Sequence, residues 1–156
     1  MATDTEKTAN KLRLTQLALT GLTKGVWEFV GETAFALTPV IGEDILKILE
    51  KEMGLEIHGE NPEDVINEIS RLFVDEFGCA ESIDVNVEGD NIIKLQVNSC
   101  IDRTETGKLK EAGVTKPFTC PIMNACQAAL KRMDQKVHED IEVCSDGNCL
   151  ITFEKV

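Results

Sequence analysis

A chain of 156 residues is most simply one domain, long enough to bury about two thirds of the surface that its unfolded form exposes. Apolar residues make up 42% and charged residues 28%, while a net charge of −12 and the lack of any basic run argue against direct contact with nucleic-acid phosphates. Aromatic residues are only 4%, with no tyrosine and one tryptophan, so the core has to be mostly aliphatic.

Residues 1–10 are polar and read as a disordered tail, leaving 11–156 as a single domain. Lys7, Lys11 and Arg13 precede a leucine-rich stretch that Thr15, Gln16, Thr20 and Thr23 interrupt. Lys24, Glu28 and Glu32 then break any span of the roughly 20 apolar residues that a membrane crossing needs. A cytoplasmic protein with reduced thiols is the expectation. Leu19, Leu22, Val26, Phe29, Val30 and Leu37 recur at three- and four-residue steps, the pattern of one buried helix face. Gly21 and Gly25 lie four apart and would let a second helix approach, which points to a homodimer or another protein partner through this first helix. A break at Gly21 or Gly31 is equally compatible with the pattern, and Pro39 is expected to end the segment.

A second helix fits Glu43 to Met53. A third opens with Asn61 as cap and Pro62 in the first turn, and buries Val65, Ile66, Ile69, Leu72, Phe73 and Phe77. The pattern then switches to period two. Ile83, Val85 and Val87, then Ile93, Leu95 and Val97, alternate with polar residues around the turn at Glu88-Gly89-Asp90-Asn91, which predicts an antiparallel hairpin. Residues 101–117 are either a functional loop or a short helix around Thr106 to Ala112. Pro121 opens another helix, with Cys120 as its cap. The runs Val137–Cys144 and Cys149–Phe153 form a closing hairpin. The expected fold is α+β, with N-terminal helices packed on an antiparallel sheet built from two hairpins separated by a helix.

Six cysteines stand out: Cys79, Cys100, Cys120, Cys126, Cys144 and Cys149. Thiolates bind soft metals or carry redox chemistry, although a cysteine is also an ordinary small hydrophobe. At a helix start, unpaired amides and the dipole favour the anion, so Cys120 is the candidate for a thiolate of lowered pKa. Cys126, six residues on, fits the core. Cys100 and Cys126 are further redox candidates, and with Cys120 and a hairpin cysteine they could surround an iron–sulfur cluster. That spacing matches no familiar ferredoxin run. The register of the closing hairpin decides the rest. A two-residue Asp146-Gly147 turn sets Cys144 opposite Cys149 with Glu142 on the same face; a three-residue Ser145-Asp146-Gly147 turn sets Cys149 beside Val143 and pairs Ile141 with Ile151. His58 and His138 read as surface residues. Nothing in the sequence supports Ser/His/Asp catalysis.

The segment Glu142-Val143-Cys144-Ser145-Asp146-Gly147-Asn148-Cys149-Leu150-Ile151-Thr152-Phe153 resembles the ending of 4-vinyl-reductase-type hydrocarbon-binding domains, and the likeness extends over about residues 15–156. It implies a fold shared with haem–nitric-oxide sensor domains and trafficking-complex subunits, and a small-molecule sensor or carrier with an apolar pocket. Such relatives are often dimeric through N-terminal helices. Trp27, Phe73, Phe77 and Phe118 are the expected lining of a pocket between the helices and the sheet. The resemblance further implies a zinc site of Cys120, Glu142, Cys144 and Cys149. The turn between the two hairpin cysteines is shorter here than in those zinc sites, and Glu142 is one residue nearer its cysteine.

Overall fold

The computed structural model describes residues 1–101, 103–144 and 147–156. Its first helix, α1, runs Asp4–Val30. It begins inside the segment expected to be a disordered tail, because Thr3 and Glu6 form a reciprocal cap. The Glu6 amide donates to the Thr3 hydroxyl (3.3 Å) and the Thr3 amide to the Glu6 carboxylate (2.7 Å). Gly31, at φ +57°, ends α1 and leads into a 3₁₀ segment, Gly31–Leu37. The break falls at the second of the two glycines where the sequence allowed one. Pro39 does not terminate a helix. It lies in the first turn of α2 (Thr38–Lys47), where its missing N–H costs nothing. A π-helical turn, Ile48–Glu52, extends α2.

Helix α3 spans Pro62–Asp75, with the Asn61 side chain accepting from the Asp64 amide at 3.0 Å. Strands β1 (Ser82–Glu88) and β2 (Ile92–Asn98) form the first hairpin. Helices α4 (Arg103–Glu111) and α5 (Pro121–Arg132) follow, then β3 (Val137–Val143) and β4 (Cys149–Lys155). The long polar connection between the hairpins is therefore largely helical.

The strands make one antiparallel sheet in the order β1-β2-β4-β3. Helices α3 and α5 pack on one face of it and α2 covers α5 from outside, so the architecture is α+β as expected. Leu95, Val97, Ile151 and Phe153 on the central strands meet Ile66, Ile69 and Phe73 of α3 and Ile122, Met123 and Cys126 of α5 in one core. The opposite sheet face carries Asp84, Asn86, Lys94 and Gln96.

Helix α1 departs from its sequence pattern. Its apolar stripe is not buried: Leu22 is 64% exposed and Phe29 92%, and Thr23 is the one buried side chain of the helix. The helix packs on α4 and on the 3₁₀ segment rather than on the core, so a periodicity that ordinarily faces an interior here faces outward. Among the described residues no helix is long and apolar enough to cross a membrane.

Candidate functional site

Four cysteines from four distant segments meet at one end of the sheet. The β1–β2 ladder pairs Ser82 with Asn98, and the pairing continues past the strands: the Glu81 amide donates to the Asn98 carbonyl and the Ile101 amide to the Cys79 carbonyl (2.9 Å). Cys79 and Cys100 are thereby set side by side. Ser99, at φ +52°, turns the chain after β2, so strand parity no longer applies to Cys100, which packs against the core instead of joining the polar face. Its amide donates to the Gly147 carbonyl at 3.1 Å, while the Ser99 amide donates to the Asn148 side chain at 3.1 Å. Cys149 begins β4, and Cys120 caps α5.

These four thiols line a partly open pocket of about 80 Å³. Its roof comes from α1 and α4. Thr20 of α1 donates to the Glu105 carboxylate of α4 (3.0 Å), and the hydroxyls of Thr23 and Thr119 share a 3.0 Å hydrogen bond. Leu19, Leu109, Pro117 and Ile141 supply much of the apolar wall. The Lys108 ammonium beside Glu105 holds that carboxyl below the usual range, with the Thr20 hydroxyl adding to the effect, so the pocket edge carries one ionised but paired acid.

Burial decides the state of the thiols. Cys120 keeps part of its surface toward the pocket, yet its sulfur is densely surrounded, and loss of water pushes its pKa up to about 12. The amides of Met123 and Ile122 favour the anion but do not outweigh that penalty. The expected thiolate at the start of α5 is corrected accordingly: Cys120 is a thiol at neutral pH. Cys149 is raised to about 11 by burial and then by Cys100 and Cys144, and Cys126, inside the core, is raised further.

The closing hairpin takes the second of the two registers. Val143 pairs with Cys149 and Ile141 with Ile151, and Gly147 sits at φ +80°. Ser145 and Asp146, on which the turn assignment rested, lie outside the described residues. Ile141 and Ile151 become the matched apolar pair in the core. Glu142, opposite Leu150, falls on the sheet face away from Cys149 and is exposed. Cys144 borders a neighbouring groove with Thr106, Lys110 and Val143 that Cys149 also lines, and it does not border the pocket that holds Cys100 and Cys120. The four residues Cys120, Glu142, Cys144 and Cys149 are therefore not gathered into one ligand set. Among the described residues, no three His, Cys, Asp or Glu side chains stand together so as to hold a metal ion.

The aromatic lining is corrected too. Phe73 and Phe118 are buried in the core, the exposed Phe77 ring meets Phe73 at a tilt of 40°, and Trp27 lies on α1; none of them borders the pocket. His58, 3.2 Å from Glu56, and His138 are exposed. Sequence reasoning missed Cys79 and Glu105. The signal for Cys79 was present: extending the predicted first hairpin outward by its own register brings it beside Cys100.

Comparison with curated proteins gives no match. A family model described as "Putative rubredoxin C-terminal domain" matches residues 14–156, which takes in every residue that lines the pocket, and the chain belongs to this family of rubredoxin C-terminal domains.

Proposed function

We propose that the chain is a non-catalytic ligand-binding domain, a small-molecule sensor or carrier, whose ligand occupies the cysteine-lined pocket beneath α1 and α4. The observation that carries this reading is the convergence of Cys79, Cys100, Cys120 and Cys149 on one partly open pocket. Protein interiors are close-packed, and a cavity of about 80 Å³ has room for a ligand of only a few heavy atoms. The apolar walls, and the thiols of Cys120 and Cys149 kept neutral by burial, favour an apolar or soft ligand over a charged metabolite. The order of helices and hairpins is compatible with a 4-vinyl-reductase-type relationship, and the family description suggests work beside a redox partner.

A rubredoxin-type name also raises iron, and four thiolates in a tetrahedron are the usual holder for such a metal. The residues do not fit as they stand, because no three donors are gathered among the described residues. Zinc at the hairpin meets the same objection. The ligand-binding reading is tested by native mass spectrometry of protein isolated from its source. A retained mass beyond the polypeptide is the expected result, and a bare polypeptide would overturn it.

The exposed face of α1 favours a second, compatible reading: self-assembly. Leu12, Leu19, Leu22, Val26 and Phe29 follow the alternating three- and four-residue spacing of a two-helix seam, interrupted only by Thr15, and Gly21 and Gly25 lie in the groove beside it. The occupant proposed is α1 of a second copy. Light scattering at about 100 μM should give a dimer mass, and Phe29→Glu should give the monomer. A monomeric parent protein at that concentration would exclude this use of the face.

A further inference from the structure

We propose that the cysteine-lined pocket and the groove beside it form one site for a short monocarboxylate, whose apolar chain enters the pocket and whose carboxylate rests on Lys110. The inference rests on the reading of this pocket as a ligand site and names the ligand class. The two spaces share a boundary, since Thr106 of α4 and Cys149 at the start of β4 line both. The pocket supplies about 80 Å³ and the groove about 180 Å³ beside it. A ligand that crosses the boundary has room for more atoms than the pocket alone admits.

The two halves differ in character. Leu19, Leu109, Ile122 and Ile141 make the pocket apolar, whereas the groove carries Lys110. Lys110 lies four residues after Thr106 on the same face of α4, one turn or about 6 Å further along. Its ammonium donates to the Val143 carbonyl at 3.3 Å. A carbonyl is neutral, so this contact positions the charge without cancelling it. Lys108, by contrast, is paired with Glu105 at 2.8 Å, which limits repulsion of an anion by the ionised group at the pocket edge. A carboxylate has two oxygens, and the Lys110 ammonium and the Thr106 hydroxyl supply a donor for each. A phosphate ester brings more charge and more acceptor oxygens than this pair can meet. The anion stays in the groove at an exposed lysine, and only the chain is taken out of water, which avoids the cost of burying a charge. A chain of roughly five carbons covers the one turn between Lys110 and the pocket.

The probe is hexanoate, titrated into the full reduced chain and followed through the methyl resonances of leucine and isoleucine, with 1-hexanol measured alongside. Saturable shifts at Leu109, Ile122 and Ile141 are expected, with a Kd on the order of 1 mM. Lys110→Met, at an exposed position, should weaken hexanoate about fivefold and leave 1-hexanol unchanged. Added salt should weaken hexanoate and spare 1-hexanol, a readout that needs no variant to fold. Shifts confined to the exposed leucines of α1, or an equal response of the two probes to Lys110→Met, would overturn the proposal. Shifts at the pocket methyls with 1-hexanol but not with hexanoate would reject the carboxylate and leave the pocket reading standing. Binding of neither probe would overturn the proposal, and the native mass spectrum then decides separately whether the pocket retains another ligand.

Discussion

Raising the pH from 9 to 10 should cost the folded chain on the order of 3 kcal/mol, a large part of the roughly 5–15 kcal/mol that stabilises a typical domain. The cause is three thiols kept neutral by burial. In the folded chain Cys149 is raised to about 11, Cys120 to about 12 and Cys126 further still, from an ordinary value of 9.0. Above that value the unfolded chain releases these protons and the folded chain keeps them. The folded state then binds more protons, so stability falls with rising pH, by about 1 kcal/mol for each thiol between pH 9 and 10 and toward a limiting slope of about 1.4 kcal/mol per unit above that. The contribution is fully present below pH 9 and is lost as pH rises through 11 to 12. Urea midpoints at pH 8, 9 and 10 should show the decline. Cys126→Ala should remove about a third of the slope, and Cys144→Ala, which removes the smallest of the causes that raise Cys149, should change it far less. Alkylation by iodoacetamide at pH 8 should reach Cys144, which is half-buried at the surface groove, long before Cys126. A midpoint independent of pH between 8 and 10 would show that these thiols are not sealed from water.

The elements were legible where local chemistry decides them. The Asn61-Pro62 start of α3, the alternating residues of β1 and β2, and the Cys120-Pro121 start of α5 are each specified within a few residues, and each stands where the sequence puts it. The buried face of α1 was not legible, because periodicity reports that a stripe is apolar and not what covers it. The site was readable only in part. Cys120 and Cys149 carried a local signal, a helix cap and a strand end. Cys79 and Cys100 are brought in by the hairpin register together with the positive φ of Ser99, a backbone choice that serine does not announce. The aromatic pocket expected from Trp27, Phe73, Phe77 and Phe118 failed for a related reason: two of the four are consumed by the core. Cys120 shows the competition most clearly. Its position at the helix start favours a thiolate, but burial is a tertiary property, and it wins.

Replacing Gly42 with alanine should lower stability by about 3 kcal/mol and the melting temperature by roughly 6–12 °C. Gly42 lies on α2 where that helix crosses α5, and it is fully buried. An added methyl group would overlap the carbonyl of Asn124 and come within 2.9 Å of the Ala128 side chain. The obstacle is the backbone of a helix, so no rotamer change relieves it and the two helices must part. Alanine's better helix propensity, worth about 1 kcal/mol, offsets only a fraction of that. The displacement would also reach the site. The Asn124 side chain donates to the Phe118 carbonyl at 2.9 Å, fixing the loop that leads through Thr119 to Cys120. Gly21→Ala is the matched control. Nothing lies within 4 Å of the methyl it would add, so it should raise stability by up to about 1 kcal/mol through helix propensity. Thermal unfolding of both variants beside the parent chain checks the pair. Equal or higher stability of Gly42→Ala would mean that α2 and α5 do not approach this closely, and with that the placement of Cys120 in the pocket wall would fall as well.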